Sequence, residues 1–120
     1  MVAAGTQAPA MTGRSGVDVT GVFAALGDPT RAALLTKLAA DGRGTATTLT
    51  AVTDISRQAV DRHLRVLAGA RLIESHREGR EVVYGLNTEA LRGSAEWLER
   101  LGRSWDNRLL ALKKEAEGAR

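Results

Sequence analysis

From Val17 onward the hydrophobic positions fall into blocks of changing period. Val19, Val22, Phe23 and Leu26 share one face of a short helix that Gly27 should end. In Asp28-Pro29-Thr30-Arg31 the aspartate reads as a cap and the proline as the first helical residue, where a missing N–H costs nothing. Leu34, Leu35 and Leu38 line a second helix stopping near Asp41-Gly42. Thr45 to Thr53 is threonine-rich and a poor helix former; Thr45 or Thr47 would cap it, with Leu49 and Val52 as its buried face. After a tight link at Asp54-Ile55, Ser56 is the natural N-cap of another helix. Its apolar face holds Ala59, Val60, Leu64 and Leu67 with His63 among them; its polar face holds Arg57, Gln58, Asp61, Arg62 and Arg65.

The period then shortens. Leu72-Ile73, followed by Val82, Tyr84 and Leu86 alternating with polar or small residues, reads as two strands, with Gly79 placed for the hairpin turn between them. From Asn87-Thr88 a helical pattern runs towards Glu117. Leu91, Leu98, Trp105 and Leu112 recur every seven residues, Ala95, Leu101 and Leu109 widen the stripe, and Trp97 borders it. The other side is charged, from Arg92 to Lys114. Residues 1–16 carry no hydrophobic period and read as a flexible tail, with residues 118–120 as a flexible end. The prediction is one domain over residues 17–117, mainly α with a small β-hairpin.

Composition narrows the chemistry. Seventeen Lys and Arg against fourteen Asp and Glu leave a net charge of +3 in a chain of 120 residues, a balance that suits a polyanionic partner. The absence of cysteine excludes disulfides, thiolate metal sites and thiol redox switching. No apolar run approaches a membrane span and no signal-peptide pattern opens the chain, so a cytoplasmic, non-membrane protein is expected. A nucleophile motif and a glycine-rich phosphate loop after a strand are both lacking, so an enzyme is not expected.

A short helix, a turn and an amphipathic basic helix form a helix-turn-helix, and the hairpin beside it is a wing. Arginine and glutamine pair bidentately with guanine and adenine edges, so the helix from Ser56 reads as the one that enters the major groove of double-stranded DNA. Gln58 and Arg62 are the candidates for base edges, and Arg57 and Arg65 for phosphates. Thr45, Thr47 and Ser56 join the DNA-facing set, as do Arg77 and Arg80 near the wing tip, where arginine suits the minor groove. Asp61 lies four residues from both Arg57 and Arg65; it either orients their guanidiniums or accepts from a cytosine amino group. His63 is expected as a hydrogen-bonded core histidine rather than a metal or pH sensor. Two separated histidines do not make a zinc site, and no metal or other cofactor is expected.

The order of helices, helix-turn-helix, wing and long helix resembles the ArsR/SmtB-type winged-helix repressors of bacteria. The resemblance rests on Phe23-Ala24-Ala25-Leu26-Gly27-Asp28-Pro29-Thr30-Arg31, on Ser56 through Leu67, and on Arg77-Glu78-Gly79-Arg80, together with the tryptophan-bearing C-terminal helix. It implies a homodimer that represses transcription from a palindromic operator. The family's metal sites do not carry over. Thr45 to Thr53 contains no cysteine, and Leu91 to Glu117 contains no histidine. The chain is similar to members without a metal site. It also departs at Arg71, where the family usually has glycine. Either the helix stops sooner, or Arg71 takes a left-handed conformation.

The long helix has more apolar face than a small bundle and wing can cover. Val19, Val22, Phe23, Leu91, Trp97, Leu98, Leu101, Trp105, Leu109 and Leu112 are therefore expected at a dimer interface. The alternative for Trp97 and Trp105 is that they line a small-molecule pocket between the long helices. Two other functions compete: a winged-helix adaptor meeting an acidic protein, and a repressor that answers an unidentified small molecule.

Overall fold

The computed structural model describes residues 16–118, so the expected tail, apart from Gly16, lies outside the described residues. In chain order the elements are α1 (Val19–Leu26), α2 (Pro29–Asp41), β1 (Gly44–Thr45), α3 (Ala46–Thr50), α4 (Arg57–Gly69), β2 (Ile73–Glu78), β3 (Glu81–Leu86) and α5 (Thr88–Gly118). Helix α5 thus includes Gly118, which the sequence assigned to the flexible end.

Side-chain caps fix where the helices begin. Asp28 Oδ2 accepts from Arg31 N–H at 3.0 Å and Ser56 Oγ from Ala59 N–H at 3.1 Å, each satisfying a donor that no helical carbonyl can reach. Thr45 and Thr48 form a reciprocal capping box on α3. That box lets five residues of low propensity stay helical. The expected face of α3 is only half right: Leu49 is buried, but Val52 lies beyond the helix and is exposed, and Ala46 is buried in its stead. The link to α4 runs from Ala51 to Ser56, longer than the predicted turn, with Ile55 packed against the core.

Leu34, Leu38, Leu49, Val60, Leu64, Leu67 and Leu72 are the fully buried leucines and valines that join α2, α3, α4 and the wing root. Val19 and Val22 are buried too, at 0% and 1% exposure within a single chain. Both side chains, expected at a dimer interface, are therefore taken up by the core of a single chain.

The wing is not two-stranded. β1 adds to β3 so that the antiparallel order is β1-β3-β2, with Gly44 opposite Tyr84 and Ile73 opposite Leu86. Gly44 sits tightly there: a Cβ would come within 3.2 Å of Leu38 Cδ2, so the leucine would have to shift by a few tenths of an ångström. Gly79 opens the two-residue hairpin loop with φ +64°, the left-handed value that primed turns need. In β3 the buried valine is Val83, while Val82 stands exposed; Tyr84 and Leu86 lean on the core from the other face. The strand is therefore covered on both sides at its centre, which simple alternation does not express.

Arg71 adopts φ +61°. Helix α4 runs on to Gly69 with Ala70 as its C-cap, Arg71 N–H reaches Ala68 O at 3.0 Å and Leu72 N–H reaches Leu67 O at 3.0 Å. This is a complete Schellman motif closed by the buried pair Leu67 and Leu72, with arginine where glycine is favoured. Arg71→Gly relieves left-handed strain and adds freedom to the unfolded chain, so we expect a net gain of about 0.5 kcal/mol. Thermal melting checks it, and a clear fall in Tm would refute the assignment of strain.

Candidate nucleic-acid interface

Helix α4 gives its inner face to Val60, Leu64 and Leu67 and leaves Arg57, Gln58, Arg62 and Arg65 exposed on the other. Helix α3 crosses near the start of α4: Arg57 Nη1 donates to Thr47 Oγ1 at 3.2 Å. Two of the expected DNA-facing residues, distant from each other in sequence, are thereby placed together. Asp61 Oδ1 sits 4.0 Å from Arg57 Nε, so its described partner is Arg57 rather than Arg65. Both side chains are exposed, and the pair contributes little stability. Thr45 takes the capping role that the sequence offered to it or to Thr47: its hydroxyl accepts from Thr48 N–H at 3.1 Å in the capping box. Ser56 Oγ likewise caps α4, although Ser56 itself is exposed at the helix start.

On the wing, Arg77 lies opposite Val82 and Arg80 lies in the turn; both are exposed. Glu78 holds two partners at once, the Arg43 guanidinium at 2.5 Å and the His76 ring at 2.6 Å. Those hydrogen bonds, His76 first and Arg43 second, hold the Glu78 carboxyl below its ordinary range. Arg43 precedes β1 and comes to the wing only because β1 joins the sheet, so no local pattern could have marked it. Arg77 points to the sheet face opposite that of His76 and Glu78, as strand alternation requires.

His63 lies at the edge of the core rather than inside it, 22% exposed, with Nδ1 3.4 Å from Arg31 Nη1 and 3.9 Å from Asp28 Oδ2. Among the described residues no group of three His, Cys, Asp or Glu side chains is placed to hold a metal ion. No helix among them is long and apolar enough to cross a membrane.

The expected interface residues divide. Leu91 leans on the core, and Phe23 meets Trp97 edge-on with ring centroids 6.0 Å apart, which joins α1 to α5 within one chain. Every residue from Leu101 to Gly118 is exposed, including Leu101, Trp105, Leu109 and Leu112, as is Leu98. Leu110, which lay off the predicted stripe, is exposed with them. A cavity of about 700 Å³ opens between α1, the end of α4 and the start of α5, walled by Val17, Asp18, Ala24, Val66, Arg71 and Glu89 among others. Neither tryptophan lines it.

Residues 26–76 match the model of a helix-turn-helix domain family. Over 88 residues, the chain is 36% identical to the transcriptional repressor SdpR of Bacillus subtilis, covering 73% of this chain and 97% of that protein. It superposes on an ArsR-like transcriptional regulator from Rhodococcus sp. RHA1 with a TM-score of 0.73 and 41% identity, covering 80% of this chain and 90% of the other. HlyU from Vibrio cholerae shares the fold, with a TM-score of 0.59 at 23% identity over 73% of this chain and 95% of the other.

Proposed function

The chain belongs to the ArsR family of winged helix-turn-helix transcriptional repressors, and on that premise we propose a homodimer that grips a palindromic operator without a metal signal. The observation that carries the DNA contact is the side-by-side exposure of Arg57, Gln58, Arg62 and Arg65 on a helix whose other face is committed to the core. In this reading Gln58 and Arg62 meet base edges in the major groove. Arg57, held by Thr47, meets phosphate with Arg65, while Arg77 and Arg80 reach the backbone or minor groove from the wing. The distal half of α5 supplies the dimer seam. Two-fold symmetry then sets half-sites about one helical turn apart, or a multiple of it.

The test is fluorescence anisotropy with the region upstream of the protein's own gene and a scrambled duplex, at several salt concentrations, with and without zinc. The expected result is binding at least ~10³ tighter to the upstream fragment, unaltered by zinc. Equal, weak binding to both that vanishes in modest salt would favour the adaptor reading instead. A second reading, response to a small molecule, is favoured by the cavity beside the end of α4. Release of the bound fragment by a compound that also raises Tm would support it.

A further inference from the structure

Arg31 belongs to no DNA-facing surface, yet its guanidinium touches two separate parts of the fold. Nε donates to Ala25 O at 2.6 Å, a carbonyl at the end of α1 beyond the reach of a further helical turn, and Nη2 to Ala24 O at 3.3 Å, which also accepts the cap Gly27 N–H. Nη1 lies 3.4 Å from Nδ1 of His63, midway along α4. Asp28 closes the group: one carboxylate oxygen accepts Arg31 N–H at 3.0 Å and stands 3.9 Å from the same imidazole nitrogen. One nitrogen therefore faces a donor that needs it bare and an acceptor that needs it protonated. Asp28 and Arg31 are the charged groups that meet His63 from the α1–α2 junction, and its neighbours one turn away on α4, Ala59, Val60, Val66 and Leu67, do not titrate.

We propose that Arg31 is a positioning residue that pins α4 to the end of α1 through His63, and that protonation of His63 passes Nδ1 from Arg31 to Asp28 and loosens the pin. The proposal rests on α4 being the DNA-reading helix. Arg31 N–H donating into the Asp28 carboxylate, aided by the charges of His63 and Arg31, holds that carboxyl below its usual range. That favours the carboxylate form of Asp28, the form that can accept from a protonated Nδ1. Helix α1 is in turn locked to α5 by Phe23 and Trp97, so the pin joins the reading helix to the helix that carries the seam. Base contacts demand a tighter helix position than phosphate contacts do. A loose pin therefore lowers sequence preference more than total affinity.

The test compares wild type with Arg31→Gln and His63→Asn, whose amide oxygen replaces Nδ1 as acceptor without titrating. The probes are a duplex enriched by the protein from a random pool and its scrambled counterpart, at about pH 8 and about pH 6. Wild type should lose about fivefold in its preference for the enriched duplex at the lower pH, roughly one hydrogen bond's worth. His63→Asn should keep its preference at both, and Arg31→Gln should show the reduced preference at both. Imidazole ¹⁵N spectra give a readout that needs no DNA: wild type near pH 8 should show His63 as the Nε2–H tautomer, and Arg31→Gln should lose it. Failure to enrich any duplex would count against the DNA reading, while the tautomer still decides the pin. An Nδ1–H tautomer in wild type overturns the proposal. So does a wild-type pH response in His63→Asn, or an Arg31→Gln variant whose Tm falls while its preference is unchanged.

Discussion

Replacing Leu101 and Trp105 together by glutamate is expected to yield a monomer whose affinity for the upstream fragment falls by roughly 10²–10⁴, the gain that linking two half-site binders confers. Both residues are more than half exposed, at 53% and 59%, so the change removes no contact from the core of a single chain. What it removes is apolar surface from the proposed dimer seam. α5 is 31 residues long, about 46 Å at helical rise, and its buried residues, Ala90, Gly93 and Ser94, all lie near its start. A helix projecting that far with alternating leucines and an indole in water is marginal alone and sound when paired with a copy of itself. Two carboxylates facing two more across a two-fold axis would oppose that pairing. Light scattering during gel filtration reads the mass and anisotropy reads the affinity. The core should melt cooperatively, with helical signal lost from the distal part of α5. A variant that remains dimeric would move the interface to the α1 side of the molecule.

Local chemistry made most of the fold legible. Helix starts follow from Asp28-Pro29 and Ser56, and ends from Gly27 and Gly42, because a cap is decided by residues within one turn of it. Contacts across long stretches of chain were not legible. β1 is two residues long and carries no pattern, yet it widens the wing and delivers Arg43 to Glu78. Periodicity identified Val19 and Val22 as apolar-face residues but does not say whether such a face meets its own core or a partner; burial answers for the core. The exposed Arg–Gln face of α4 was visible because the helix-turn-helix puts function on a helix surface. The role of Arg31 was hidden because its partners are carbonyls and a histidine 32 residues away.

The sharpest division of labour should appear on α4 itself. Gln58→Ala and Arg62→Ala are each expected to weaken the specific complex by about 5–150-fold, relax preference at one or two adjacent base pairs, and leave scrambled DNA little changed. Arg57→Ala and Arg65→Ala should instead weaken both duplexes and lower the salt slope by about one each. All four side chains are exposed, so stability should shift by no more than about 0.5 kcal/mol and folding should not confuse the comparison. Asp61 is the acidic exception on this face, with its carboxylate 4.0 Å from Arg57 and repelling phosphate. If it acts by steering Arg57, Asp61→Asn keeps every base preference and raises affinity for both duplexes slightly. Loss of preference at a single position would instead assign it to a cytosine amino group. Measuring the five variants on a panel of single-base changes in the enriched duplex separates these outcomes. Uniform weakening by Arg62→Ala would move that residue to the phosphates and leave Gln58 as the chief reader on α4.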